Sequence, residues 1–210
     1  MKRRILCNIV CILCSVSVAV CAPKDSIYNG TQVKLDILSP VIAPALNNWA
    51  MQQYEVAVNV RLAQRFYPTF ELGYAGGQKN QGDSIQYKGH GGFFRVGCDI
   101  NPLRKHPESP HALLIGLRLG TAVQGFDNGT NNKNGIAADC WGEIIAGCQV
   151  EIVKVKQTAF YMGWMGRFKI LFTRETEGLP AADRTALYIP GFGIRDNIGW
   201  GANYYLGWKF

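Results

Sequence analysis

The chain has 210 residues, with 22 lysines and arginines against 15 aspartates and glutamates. This length suits one β domain with a complete core and is too short for two ordinary domains and a targeting peptide. The formal net charge of +7 includes a basic N-terminus, and the excess is too small to indicate a nucleic-acid partner. After the N-terminal region, no stretch approaches the roughly 20 consecutive apolar residues that a spanning helix needs.

The first 22 residues have the pattern of an export signal. Lys2, Arg3 and Arg4 are followed by a mostly apolar run over 5–20, and the small residue Ala22 precedes Pro23. We therefore predict a signal peptide over 1–22 and one mature domain over 23–210. An uncleaved membrane anchor and lipidation at Cys21 are the alternatives.

The seven cysteines do not form a recognisable framework. Beyond the signal region only Cys98, Cys140 and Cys148 remain, at scattered spacings, and no CxxC motif or Cys/His cluster is present. An odd number of scattered cysteines argues against a disulfide scaffold and against zinc. We predict no metal and no other cofactor.

The first four predicted elements alternate between apolar and polar residues, which is the period of a β-strand. In chain order their apolar positions are Val33, Leu35 and Ile37; Tyr54, Val56, Val58, Val60 and Leu62; Phe70, Leu72 and Tyr74; and Phe94, Val96, Cys98 and Ile100. A tight turn is predicted near 65–69, and a long polar connection over 75–90. A proline-rich turn over 101–111 follows the fourth element.

Four more elements follow with the same alternation. Their apolar positions are Leu113, Ile115, Leu117 and Leu119; Ile144, Ala146, Cys148, Val150 and Ile152; Phe160, Met162, Trp164, Phe168, Ile170 and Phe172; and Phe192, Ile194 and Ile198, continuing through Trp200 to Phe210. Long polar loops are predicted over 125–138 and 174–186, and a short turn over 154–157. Short turns at one end and long loops at the other are typical of bacterial outer-membrane barrels.

Charged residues recur on the side of the segments opposite the apolar positions. They are Lys34, Arg61, Arg95, Arg118, Arg167, Lys169 and Lys209, against Asp36, Glu55, Glu71, Asp99, Glu143 and Glu151. An eight-stranded barrel is only wide enough for side chains to fill. We therefore predict that these charges neutralise one another inside the barrel and leave no wide pore. The predicted lumen network consists of Arg61, Glu71, Arg95, Asp99, Arg118, Glu143, Arg167 and Lys169.

These patterns together predict an all-β fold, an eight-stranded antiparallel up-and-down transmembrane β-barrel in the outer membrane of a Gram-negative cell. The mature chain resembles small outer-membrane barrels of the OmpA-transmembrane and OmpX type in architecture. More narrowly, Arg-Phe-Tyr-Pro-Thr-Phe-Glu-Leu-Gly-Tyr (65–74) and Gly-Phe-Phe-Arg-Val-Gly-Cys-Asp-Ile-Asn-Pro (92–102) are similar to blocks of an uncharacterised barrel family of Bacteroidota outer membranes. The resemblance implies location and fold and transfers no catalytic residue.

The last strand also resembles the closing strand of outer-membrane barrels, because it ends on an aromatic residue. In that class the strand is read by the assembly machinery. The resemblance implies an assembly signal made of Tyr204, Leu206, Trp208 and Phe210. It also implies outer-membrane lipids and the barrel-assembly machinery as partners.

Three functions are compatible with such a barrel. The first is a structural or interaction protein that contacts a surface or periplasmic partner. The second is a lipid-modifying enzyme, for which Asp83, Ser84 and His90 in one predicted loop are the candidate residues. The third is a soluble periplasmic barrel of lipocalin type, with Val56, Val58 and Val60 facing an apolar ligand inside. We expect the first, without enzymatic activity.

Overall fold

The computed structural model describes residues 28–40, 52–62, 65–81, 84–103, 111–129, 132–156, 158–173 and 187–210. The predicted signal peptide over 1–22 lies outside these residues. Within the described ranges, no helix has the length and apolar character needed to cross a membrane.

The described residues form a closed barrel and one short hairpin. The strands are β1 (Tyr28–Asp36), β2 (Gln52–Leu62), β3 (Phe66–Gln81), β4 (Ser84–Ile100), β5 (Ala112–Asn128), β6 (Lys133–Val155), β7 (Thr158–Leu171), β8 (Tyr188–Ile189), β9 (Gly193–Ile194) and β10 (Ile198–Lys209). The barrel follows the order β1-β10-β7-β6-β5-β4-β3-β2, while β8 and β9 pair only with each other. All neighbouring barrel strands are antiparallel. The predicted all-β, eight-stranded antiparallel barrel is therefore confirmed.

The first and last barrel strands close the sheet. Gln32 lies opposite Lys209, and Leu35 lies opposite Leu206. At the end of the seam, the Phe210 N–H donates to the carbonyl oxygen of Thr31 at 2.9 Å. Closure matters because an open edge would expose a row of unpaired backbone groups.

The predicted alternation decides which side chains face in. Large apolar side chains are exposed on the outer surface of every barrel strand; one from each strand in chain order gives Leu35, Val58, Leu72, Phe94, Leu117, Ile144, Trp164 and Trp200. Residues at the alternate positions, such as Glu55, Arg95 and Arg118, are buried in the lumen. Because successive side chains on a strand point to opposite faces, one pattern produces both an apolar outside and a charged inside.

Two predicted loops turn out to be strand. Pairing between β3 and β4 continues to Gln81 opposite Ser84, so the predicted loop over 75–90 is wrong. Pairing between β5 and β6 continues to Asn128 opposite Lys133, which overturns the loop over 125–138. The alternation fades there because outward positions become glycine or polar, but backbone pairing needs no apolar side chain. These four strands therefore extend as a wall beyond the apolar surface.

The start of the last barrel strand was also predicted wrongly. The sequence predicts outward apolar positions from Phe192, but β10 begins at Ile198 and Phe192 is only 1% exposed, packed inside the barrel. Gly191 and Gly193 have φ of 76° and 117°. Glycine adopts these values without a Cβ penalty, so the chain can form a tight hairpin here instead of an extended strand.

Candidate functional site

Glu71 lies at the centre of a buried charge network in the lumen. Its carboxylate is 2.9 Å from Nη1 of Arg95 and 3.2 Å from Nε of Arg118. A third arginine, Arg167, reaches it from β7 on another part of the wall, at 2.9 Å. The barrel register places Arg95 directly opposite Glu71 on the neighbouring strand. Closure of the sheet therefore brings three guanidinium groups from different strands onto one carboxylate.

The same arginines contact the other acidic groups of the lumen. Asp99 accepts two hydrogen bonds from Arg118, at 2.5 and 2.7 Å. Glu55 is 2.9 Å from Arg95 and 3.0 Å from Arg167. Glu143 pairs with the same two arginines, at 2.9 and 2.7 Å, and it also accepts a hydrogen bond from the Trp141 indole at 2.6 Å. A buried charge is costly unless it is paired and hydrogen-bonded, and this sharing supplies the pairing.

Inward glycines make room for these long side chains. A Cβ on Gly116 would meet the Asp99 carboxylate, and one on Gly120 would meet the Trp141 indole. On Gly97 it would lie 2.8 Å from Cδ of Arg118. These glycines therefore leave the space that the network fills.

Six residues of the predicted lumen network meet in this cluster, namely Glu71, Arg95, Asp99, Arg118, Glu143 and Arg167. Arg61 lies at another level of the lumen, with its guanidinium 5.9 Å from the ring centroid of Tyr67. Lys169 donates to backbone carbonyl oxygens instead, as described below. Glu55 was predicted to face inward but was not included in the network. Asn203 was also left out of the predicted network, and its side chain links Arg167 to Asp36 through hydrogen bonds of 2.5 and 2.8 Å.

A hairpin occupies the lumen on one side of the network. We call residues 187–195 the plug. Tyr188, Ile189 and Phe192 of the plug are buried against wall residues that include Phe93 and Trp141. The Trp141 and Phe192 rings meet edge to face, with centroids 5.8 Å apart. Burial raises the pKa of the Tyr188 phenol.

Cationic side chains hold the plug through its backbone. Lys169 Nζ donates to the carbonyl oxygens of Gly191 and Phe192 at 2.7 and 2.9 Å. Arg95 of the network also donates to Gly191, at 2.7 Å. Arg195 pairs with Asp139 on β6 at 3.0 Å. The plug and the charge network thus form one connected unit, which we call the sealed lumen.

The cavity beside the charge network is small. The cavity beside the network, lined by Lys34, Glu55, Arg118 and others, measures about 20 Å³, which is room for about one water molecule. Among the described residues, no group of three or more His, Cys, Asp or Glu side chains is arranged to hold a metal ion. This geometry is compatible with a filled barrel and not with a wide channel.

Two of the three candidate catalytic residues lie far apart on one strand. Ser84 and His90 lie six positions apart on β4, so an extended strand separates them by about 20 Å. Asp83 lies outside the described residues. A serine and a histidine must be within hydrogen-bond reach to act together, so these two do not form a nucleophile–base pair.

Three of the predicted assembly residues lie on the outer face of β10, and Phe210 directly follows this strand. Tyr204 and Leu206 are half-buried, whereas Trp208 and Phe210 are exposed. Trp208 packs edge to face on Phe160, with ring centroids 5.3 Å apart. The role of these four residues in assembly stays a prediction.

The fold and the lumen define an all-β protein built as a closed eight-stranded barrel with a charged, filled interior. The chain belongs to the family described as Domain of unknown function (DUF6048), whose model matches residues 2–209. No curated protein matches the chain significantly. Among solved structures, it is similar to the N-terminal β-barrel domain of Pseudomonas aeruginosa OprF, with 11% identity, a TM-score of 0.42, and coverage of 87% of this chain and 98% of that one.

Proposed function

We propose that this protein is a sealed outer-membrane barrel whose outer strand extensions contact a partner. The observation that carries the proposal is the ring of exposed apolar side chains contributed by every barrel strand, around an interior of paired charges. A soluble protein rarely exposes so large an apolar surface. In a bilayer the same side chains face hydrocarbon, and a closed barrel satisfies its own backbone.

The arrangement of faces argues against the soluble lipocalin-type alternative. A barrel of that type would turn Val56 and Val58 inward around an apolar ligand, but both are exposed. The interior holds Arg95, Arg118 and Glu143 instead, each at most 3% exposed. A lumen lined by these charged side chains does not suit an apolar ligand.

In this proposal the barrel acts as an anchor. Because the network and the plug occupy the lumen, we propose an anchoring role instead of the passage of solutes. The wall formed by the extensions of β3–β6 is then the surface that can contact a partner. We expect outer-membrane lipids around the barrel and the assembly machinery during biogenesis, and we expect the partner of the wall at the cell surface.

Cysteine labelling on intact cells tests both location and orientation. Gly129→Cys lies in the turn between β5 and β6, and Thr158→Cys lies at the opposite end of the barrel; both positions are exposed. In a background carrying Cys140→Ser, which removes an exposed native thiol, a membrane-impermeant maleimide should modify the first variant only. Equal labelling of the two, or recovery of the protein without detergent, would contradict the proposal.

The same proposal assigns no catalytic role to the candidate residues of β4. A His90→Ala variant should leave the lipid profile of the cells as it is in the parent. A changed profile that follows His90 would favour the lipid-modifying enzyme.

A further inference from the structure

A groove on the outer surface lies where the apolar band ends and the strand extensions begin. We call it the outer groove. Its volume is about 380 Å³, and its lining includes Gln52, Tyr54, Tyr74, Gly76, Gln78 and Lys88. That volume falls within the range of small-molecule pockets, roughly 300–1,000 Å³. The groove is separate from the sealed lumen, because these side chains lie on the outside of the wall.

An outward glycine, Gly76, leaves the space of the groove at a position where the fold does not demand glycine. A Cβ on Gly76 would meet nothing closer than Cβ of His90 at 3.5 Å. Inward glycines such as Gly116 have no such space. Glycine within a strand costs stability and often marks a site where a ligand approaches the backbone.

The lining combines aromatic faces with amide hydrogen-bonding groups. Tyr54 and Tyr74 lie opposite each other in the register of β2 and β3, and each is about half exposed, at 52% and 51%. Gln52 lies directly opposite Gly76 in the register, and Gln78 lies two positions beyond Gly76 on β3. Each amide can both donate and accept. Rings with apolar faces and polar tips next to amides suit a ligand that has a flat C–H face and hydroxyl groups at its rim, which is the chemistry of a sugar.

A phosphate is a poorer match for the same groove. Lys88 is the cation of the lining, but Asp127 lies directly opposite it on β5. The neighbouring carboxylate offsets the lysine charge, so the groove lacks the concentration of cations with which proteins bind phosphate. The charge balance therefore favours an uncharged, hydroxyl-rich ligand.

The position of the groove identifies the source of that sugar. Leu72 and Val56, directly below the two tyrosines in the register, belong to the exposed apolar band. Tyrosine pairs at the edge of such a band lie at headgroup level in a membrane. We propose that the outer groove binds the sugar of a glycolipid headgroup from the surrounding outer leaflet, an inference that rests on the membrane location proposed above.

Lipid retention tests the proposal on the full chain. The protein isolated from membranes is reconstituted into phosphatidylcholine vesicles containing either monogalactosyl diacylglycerol or phosphatidylglycerol, and native mass spectrometry measures the lipid that remains bound. We expect several-fold more retained galactolipid than phosphatidylglycerol. Equal retention, or a preference for phosphatidylglycerol, would overturn the sugar assignment.

A matched pair of glycine variants localises the effect. Gly76→Leu fills the groove, whereas Gly166→Leu adds the same side chain at another outward glycine, where a Cβ would meet only the Ala146 carbonyl oxygen at 3.7 Å. The galactolipid preference should be lost in the first variant and kept in the second. The double variant Gln52→Ala with Gln78→Ala should lose it as well. If Gly76→Leu and the double glutamine variant both keep the galactolipid preference, the outer groove is not the binding site.

Vesicle flotation separates this inference from the proposed function. Wild-type protein that does not float with the vesicles contradicts the membrane location itself. Wild-type protein that floats but shows no preference contradicts only the sugar site.

Discussion

Arg95 and Gly191 are joined by a hydrogen bond of 2.7 Å between a guanidinium Nη2 and a backbone carbonyl oxygen, although 96 positions separate them in the chain. The same guanidinium group contacts Glu55, Glu71 and Glu143. One side chain thus connects the charge network to the plug. Because of this connection, we expect that substitutions in the charge network destabilise the packing of the plug. We likewise expect that substitutions in the plug destabilise the network.

Removing the charge of Glu71 should strongly destabilise the barrel. A Glu71→Gln variant keeps the shape but leaves Arg95, Arg118 and Arg167 short of a shared carboxylate in a buried site. Breaking a buried ion pair by removing one partner typically costs about 3–5 kcal/mol. Urea unfolding of the protein in lipid vesicles measures this change in the free energy of unfolding. The control is Asp127→Asn, which removes an exposed carboxylate from the outer wall; an equal loss in both variants would argue against the network as a source of stability.

Two glycines of the plug should respond differently to alanine. Gly191 has a φ of 76°, and a Cβ there would lie 2.6 Å from the Phe93 ring, whereas Gly193 has a φ of 117° with nothing within 4 Å. Both substitutions strain the backbone, at about 1–2 kcal/mol for a residue with a Cβ, but only Gly191→Ala also clashes with the wall. Hydrogen exchange of the plug amides should therefore be faster in Gly191→Ala than in Gly193→Ala. Equal rates would mean that the plug does not depend on its fit against Phe93.

The sequence predicts the barrel strands because one periodicity governs both faces. Val56 and Val58 point outward and Glu55 points inward because successive side chains alternate between the two faces of a strand. A repeat of two residues in the sequence therefore predicts both faces. The identity of the ion pairs could not be predicted. Arg167 and Glu55 meet at 3.0 Å only because the sheet closes, and alternation within one strand carries no information about which strands face each other across the lumen.

The plug was missed because its apolar residues happen to continue the period of β10. Phe192, Ile194 and Ile198 are two or four positions apart, as they would be on one strand. The signal that predicts otherwise is Pro190-Gly-Phe-Gly193, since a Pro-Gly pair marks a turn. The strand extensions were not predicted for a related reason. Their outward positions include Gly76, Gln78 and Lys88, and a pattern of alternating apolar residues cannot predict strands whose outward positions are glycine or polar.

The apolar outer surface should tolerate charge at one level and not at another. Leu117 lies in the middle of the outward apolar run of β5 and is 64% exposed, while Ile136 is 83% exposed on the extension of β6. In a bilayer, Leu117→Arg should cost about 2–4 kcal/mol, and Ile136→Arg about 0–1 kcal/mol. Unfolding titrations in lipid vesicles measure both. In a barrel surrounded by water the two arginines would be equally harmless, so comparable small effects would count against a membrane location.

A variant of Phe210 can distinguish a role of this side chain in assembly from a role in stabilising the folded barrel. The Phe210 side chain is 65% exposed, and the contacts that hold the end of the seam come from its backbone, which exchanges hydrogen bonds of 2.9 and 3.3 Å with Thr31. Phe210→Ala should therefore leave the free energy of unfolding of the refolded protein nearly unchanged while lowering the amount of assembled barrel in cells. Quantification of the protein in outer-membrane fractions, alongside vesicle unfolding, distinguishes the two effects. Phe66→Ala is the matched control, because Phe66 is 51% exposed and begins β3 at the same end of the barrel. If both variants assemble at the parental level, or if both are depleted equally, Phe210 has no special role as an assembly signal.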